Sequence, residues 1–194
     1  MKAEKILQWE KITYLTGMTE LIQAQTEKWL REFVIGLGLC PFASAPMRAG
    51  LVHISVSQAT NIETLAADLA KEAESLLDLS RAERETSLLV APHLFDEFED
   101  MLDFLDDIEI LWEEAGLEGI LQLVSFHPDY RFADAPADDP ANSTNRSPYP
   151  MLHLLREDSV TEVLETHPDP DGIPDRNVAL LRRMGEEAIQ QMVR

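Results

Sequence analysis

The chain is short of cysteine, of positive charge and of long apolar runs, and each shortage removes a class of function. One cysteine, Cys40, stands among 194 residues, which rules out an internal disulfide framework and points to the reducing cytoplasm. Only 16 Lys and Arg face 36 Asp and Glu, for a net charge of -20. That field repels phosphates, and the basic residues are scattered, the densest pair being Arg182-Arg183. No nucleic-acid partner is expected. The acidity itself reads most simply as solubility. The longest apolar stretches, such as "FVIGLGLC" at 33–40, fall far short of a membrane span. "MKAEKILQWEKITY" at the start lacks the apolar core of a secretion signal. The expectation is a cytoplasmic protein with no membrane partner.

Several motifs are also missing. There is no Gly-rich phosphate loop, no Gly-x-Ser-x-Gly elbow, no Cys-x-x-Cys and no His-Glu-x-x-His. The usual nucleotide, hydrolase and zinc signatures are therefore absent. The cofactor stays unknown, and no residue is assigned to a metal. Oligomeric state is not legible either.

What is present suffices for one core: 45% of residues are hydrophobic. Residues 1–17 lack a partner in the pattern and read as an N-terminal extension, with Met18 as an alternative start; 18–194 read as a single α/β domain. From Thr19 the apolar positions Leu21, Ile22, Trp29, Leu30, Phe33, Val34 and Leu37 recur at helical spacing, until Gly36, Gly38 and Pro41 weaken and stop the helix. Strands are expected over 51–57, 86–92, 119–126 and 150–157. Helices are expected after Asn61, over 95–119, from Ser159 in a capping box with Glu162, and over 174–192. Helix 95–119 has one apolar stripe and one acidic face, read as solvated. The alternation predicts a mixed, mostly parallel four-stranded sheet flanked by helices, resembling a two-layer sandwich. The triplet His-Pro-Asp occurs at 127 and again at 167; the flanks differ, which reads as coincidence.

Three polar segments stand against apolar neighbours: "LGLCPFA" at 37–43, "SFHPDY" at 125–130 and "TNRSPYPMLHLLRE" at 144–157. Ligands of open α/β sheets sit beyond the carboxyl ends of parallel strands, and His127, Asp129 and Tyr130 fall at such an end. The long loop back to the sheet brings Asn145, Arg146, Ser147 and Tyr149 within range. In a catalytic reading His127 is the general acid/base, Asp129 orients it and Cys40 is an optional nucleophile. Tyr130, Asn145, Arg146, Ser147 and His153 are the expected substrate-binding residues, with Arg146 clamping an anion. Each has an alternative: His127 equally caps the strand end, Tyr130 packs the loop, and Arg146 equally pairs with Asp129 in a structural lock. Cys40 sits where a helix C-terminus raises a thiol's pKa.

These three segments resemble a bacterial family of uncharacterised proteins, the domain-of-unknown-function family 1415, over roughly residues 24–188. The resemblance implies a cytoplasmic bacterial protein of about this length and carries no activity or catalytic residue with it. The leading expectation is a small-molecule enzyme acting on an anionic substrate, of hydrolase or transferase type. The alternatives are a ligand- or metal-binding module, with His127, Asp129, His153 and Cys40 or His93 as ligands, and a structural or interaction protein whose polar loop locks the fold.

Overall fold

A computed structural model describes residues 2–193, with side chains from Leu15 onward. The extension expected over 1–17 therefore falls largely outside the residues whose side chains are described. The chain opens with helix α1 (Lys2–Trp29), which passes into a π-helical segment, Leu30–Ile35. Only glycine fits at Gly36, which follows this segment, because a Cβ there would sit 2.2 Å from the Glu32 carbonyl oxygen. A short helix α2 (Ser44–Ala49), absent from the expected pattern, leads into the sheet.

The four strands are β1 (Val52–Val56), β2 (Thr86–Val90), β3 (Leu121–Phe126) and β4 (Met151–Arg156), in the order β1-β2-β4-β3. The expected sheet was mostly parallel; strand by strand it is mostly antiparallel. β1 and β2 pair in parallel, whereas β4 pairs antiparallel with both β2 and β3. The reason is insertion. β1, β2 and β3 do point the same way, but β4 enters between β2 and β3 and takes the pairing that a parallel neighbour would have had. The carboxyl ends of β1, β2 and β3 thus share one edge of the sheet with the start of β4, and the long β3–β4 loop folds over that edge.

Helices cover both faces, a third layer that the two-layer expectation did not include. On one face, α3 (Ile62–Asp78) and α4 (Phe98–Glu114) bury Leu65, Leu69, Leu76, Met101, Phe104 and Ile108 against Leu89, Leu121, Leu152 and Leu154. On the other, α1 and the π-helical segment bring Ile22, Trp29, Leu30 and Phe33 onto Leu88, Val90 and Met151. Alternate residues of a strand face opposite ways, so Leu88 and Leu89 serve different cores. That is why β2, buried throughout, reads as a continuous apolar run.

Asn61 caps α3 as expected, its side chain accepting from Thr64 N–H at 2.9 Å. At the other end of α3 an Arg156 Nη2 donates to the carbonyls of Leu76 and Leu79 at 2.5 and 2.8 Å, a cation at a helix C-terminus. The capping box expected at Ser159 does not form. α5 (Glu157–Thr166) starts directly after β4; Ser159 is buried inside it, and Glu162 pairs with Arg81 instead. The single helix expected over 174–192 is two, α6 (Ile173–Met184) and α7 (Glu186–Val193). Gly185 breaks them at φ 78°, a conformation that L side chains disfavour. No helix among the described residues is long and apolar enough to cross a membrane.

Candidate functional site

β3 ends at Phe126, whose ring packs edge-on against Trp29 at 5.2 Å on the α1 face. Strand alternation then turns His127 toward the opposite face, where its ring lies 5.4 Å from that of Phe98 at the start of α4. His127 is only 1% exposed. Pro128 has no N–H, so the next available donor is Asp129, and its backbone N–H donates to His127 Nδ1 at 3.0 Å. Nδ1 is thus the acceptor nitrogen, and Nε2 carries the hydrogen that goes to the Phe95 carbonyl oxygen at 2.8 Å. Phe95 has φ 63°, a left-handed conformation unusual for a bulky residue. The buried histidine therefore latches a strained turn between β2 and α4 onto the end of β3. Both ring nitrogens are committed to backbone, which leaves no free nitrogen for the proton transfer expected of His127.

The rest of the β3–β4 loop is held in the same manner, by side chains that satisfy backbone groups. Asn145 lies along the outer edge of β3: its carbonyl accepts from His127 N–H at 3.2 Å and its Nδ2 donates to the Ser125 carbonyl at 3.2 Å. Arg146 does not pair with Asp129; its Nε and Nη2 donate to the carbonyls of Tyr130 and Ala137 at 3.1 and 2.9 Å. Ser147, 1% exposed, donates to the Tyr149 carbonyl at 2.6 Å. Tyr130 packs its ring between Phe98 and Phe132, at 5.0 and 5.1 Å, and burial pushes its hydroxyl pKa up.

Sequence reasoning missed the hub of this loop, Asn142. It is fully buried. Its Oδ1 accepts from Phe132 N–H at 3.0 Å, and its Nδ2 donates to the Pro136 carbonyl at 2.8 Å. A 3-10 turn, Pro140–Thr144, carries it, and Asp139 caps that turn by accepting from Ala141 N–H at 2.9 Å. Arg182 of α6 clasps the same carboxylate with two nitrogens. This pair holds the Asp139 pKa down at about 2. An Asn followed by Ser and Thr in a Pro-rich stretch was the available signal, and it resembles any turn.

What the framework leaves over faces a cleft of about 520 Å³ between the loop, α1 and α7. Asp129, Arg146 and Tyr149 line it from the loop, Gln25 from α1, and Glu186 and Gln190 from α7. Asp129 is exposed there, and its carboxylate has no hydrogen-bond or ion-pair partner among the described residues. Arg146 Nη1 is likewise uncommitted. The Tyr149 hydroxyl bonds to Gln25 Oε1, and partial burial raises its pKa.

Cys40 and His127 are not brought together. Cys40 packs with the cluster on the α1 face, whereas His127 stacks on α4 across the sheet. Burial, the largest influence on Cys40, raises its pKa, against smaller lowering by backbone hydrogen bonds at Phe42 and Ala43. The expected nucleophile is therefore neither activated nor adjacent. His153 sits mid-sheet on the α1 face, its Nε2 2.7 Å from Thr86 Oγ1. Thr86 donates its own hydrogen to the Leu154 carbonyl, so His153 Nε2 is the donor in their contact. Burial holds the His153 pKa down at about 4. It lines a small apolar void of about 20 Å³ with Leu30 and Phe42 and does not border the cleft. His93 is exposed in the loop after β2. Among the described residues no three of His, Cys, Asp or Glu converge as metal ligands, so the metal set drawn from His127, Asp129, His153 and Cys40 or His93 is not assembled.

A family model described as "Protein of unknown function (DUF1415)" matches residues 21–191. Neither the curated proteins nor the solved structures contain a match.

Proposed function

For this chain, which belongs to the DUF1415 family of proteins of unknown function, we propose a small-molecule-binding role in the cleft between the β3–β4 loop, α1 and α7. The observation that carries the reading is the division of labour within the loop. Asn142, Asn145, Ser147 and His127 spend their polar atoms on backbone, while Asp129 and Arg146 Nη1 remain available in one cleft. Arg146 is pre-oriented by its two carbonyl contacts, which reduces the entropy lost when it meets a ligand. Its free edge suits a carboxylate or phosphate oxygen. Asp129 and Glu186 beside it suit an amine or hydroxyl. The ligand we propose is thus a small polar molecule with an anionic group and a hydrogen-bond donor, rather than a simple anion. Catalysis by His127 has no support in this geometry. Cytoplasmic residence in a bacterium remains part of the proposal and rests on the single thiol and the segment resemblance.

Thermal-shift measurement against a panel of zwitterions, dicarboxylates, phosphate esters and amines tests it. A zwitterion present at a hundred times its Kd stabilises by about 2.7 kcal/mol, and Asp129→Asn should remove most of that shift while leaving the unliganded Tm in place. A panel in which nothing shifts the Tm, or in which Asp129→Asn and Tyr149→Phe both respond as the wild type does, would refute the site.

A further inference from the structure

We propose that the free edge of β3, with the acidic flank of α4 beside it, docks an extended basic segment of a partner protein. β3 ends the sheet, so one side of its backbone faces outward. The outward row is 121, 123, 125 and 127, because Leu121, Ser125 and His127 all make bonds away from β4. At one end Leu121 N–H donates to the Leu117 carbonyl and the Leu121 carbonyl accepts from Trp112 Nε1, both at 3.0 Å. At the other, Asn145 covers the Ser125 carbonyl and the His127 N–H. Between these caps the N–H and C=O of Leu123 and the N–H of Ser125 are open among the described residues. Exposed strand edges are templates for another strand, and this one is closed everywhere but at its centre.

A groove of about 520 Å³ runs beside that opening, between β3 and α4. Ile108, Trp112 and Leu123 form its apolar floor, and Glu109, Glu113, Glu118 and Glu157 its rim. None of the four carboxylates has an ion-pair partner among the described residues, and no Lys or Arg lies between Arg84 and Arg131. Charge selects the occupant. A second copy would set rim against rim and -20 against -20, which opposes association. An extended segment with Lys or Arg at every second position fits: those side chains all face α4, their apolar stems over the floor and their charged heads at the rim, and the main chain bonds Leu123.

Fluorescence anisotropy with the full chain tests this, using an end-capped synthetic peptide of alternating Lys and Val. Binding is expected, weakened about tenfold by N-methylation of the amides that would face Leu123 and abolished when Glu replaces Lys. The double variant Glu113→Gln, Glu118→Gln should bind about fivefold more weakly, with a flatter salt dependence and an unchanged Tm. Absence of binding overturns the proposal. So does equal affinity for the N-methylated peptide, which would show nonspecific charge attraction alone. A concentration-dependent dimer that the Lys–Val peptide does not displace would give the edge to a second copy of the chain.

Discussion

His127-Pro128-Asp129 and His167-Pro168-Asp169 make the same side-chain-to-backbone contact and have different fates. In both, the Asp N–H donates to the His Nδ1, at 3.0 Å in the first and 3.1 Å in the second. The shared cause is the proline, which has no N–H and hands the first donor position to the residue after it. The recurrence is therefore a physical motif, although nothing around it repeats. Past that contact the two diverge. His127 ends a core strand, is 1% exposed and gives its Nε2 hydrogen to Phe95. His167 follows α5 at the surface, with no partner for Nε2 among the described residues, and its Asp169 accepts from Gly172 N–H at 3.2 Å just before α6. A local sequence sets the contact; the surroundings decide whether the imidazole becomes a latch.

The contrast can be broken by removing each histidine. His127→Ala strands the buried Phe95 carbonyl, frees the Asp129 N–H and leaves a cavity beside Phe98, and should cost about 2–4 kcal/mol in denaturant unfolding. His167→Ala should stay within about 0.5 kcal/mol. Equal losses would mean that the shared contact, and not the latch, carries the stability. Asn142→Ala probes the same loop from its hub. It removes a buried amide that bonds the Phe132 N–H and the carbonyls of Pro136 and Ala137, and a loss of about 2–3 kcal/mol is expected by the same measurement.

A third histidine sharpens the role of burial. The His153 pKa is held at about 4 in the fold, below the unfolded value of about 6.5. The folded state thus refuses a proton that the unfolded state accepts. His153 carries no penalty above about pH 6.5; stability falls as pH drops through the window from there to about 4. The loss is of order 1–3 kcal/mol and levels off below the folded pKa. His153→Gln should flatten urea midpoints across that window. The smallest effect separates the two aspartates. Asp169→Ala loses a cap-like contact and should cost about 0.5–1 kcal/mol, whereas Asp129→Ala, whose carboxylate has no partner among the described residues, should change stability by less than about 0.5 kcal/mol.

The strands and their polar terminus were legible because apolar runs and breakers are local. All four strands lie within the ranges read from Leu51 to Glu157, and Asn61 caps where a cap was expected. Pairing was not legible, because the insertion of β4 between β2 and β3 is a long-range choice that leaves each strand's own pattern unchanged. The break at Gly185 was masked by a helical stripe that continues on both sides of it. In the loop, the partners observed for the marked residues are not the expected ones. Arg146 and Asp129 carry opposite charges, yet the guanidinium found carbonyls of Tyr130 and Ala137. Backbone acceptors have no signature in a sequence, so a side chain committed to them looks free.

The most direct test of this account is the tautomer of His127, read from long-range proton–nitrogen NMR correlations at neutral pH. The latch predicts a hydrogen fixed on Nε2 and an Nδ1 with the shift of an unprotonated acceptor. A ring protonated on Nδ1, or one exchanging between tautomers as a solvent-accessible acid–base group does, would contradict it and return His127 to chemistry.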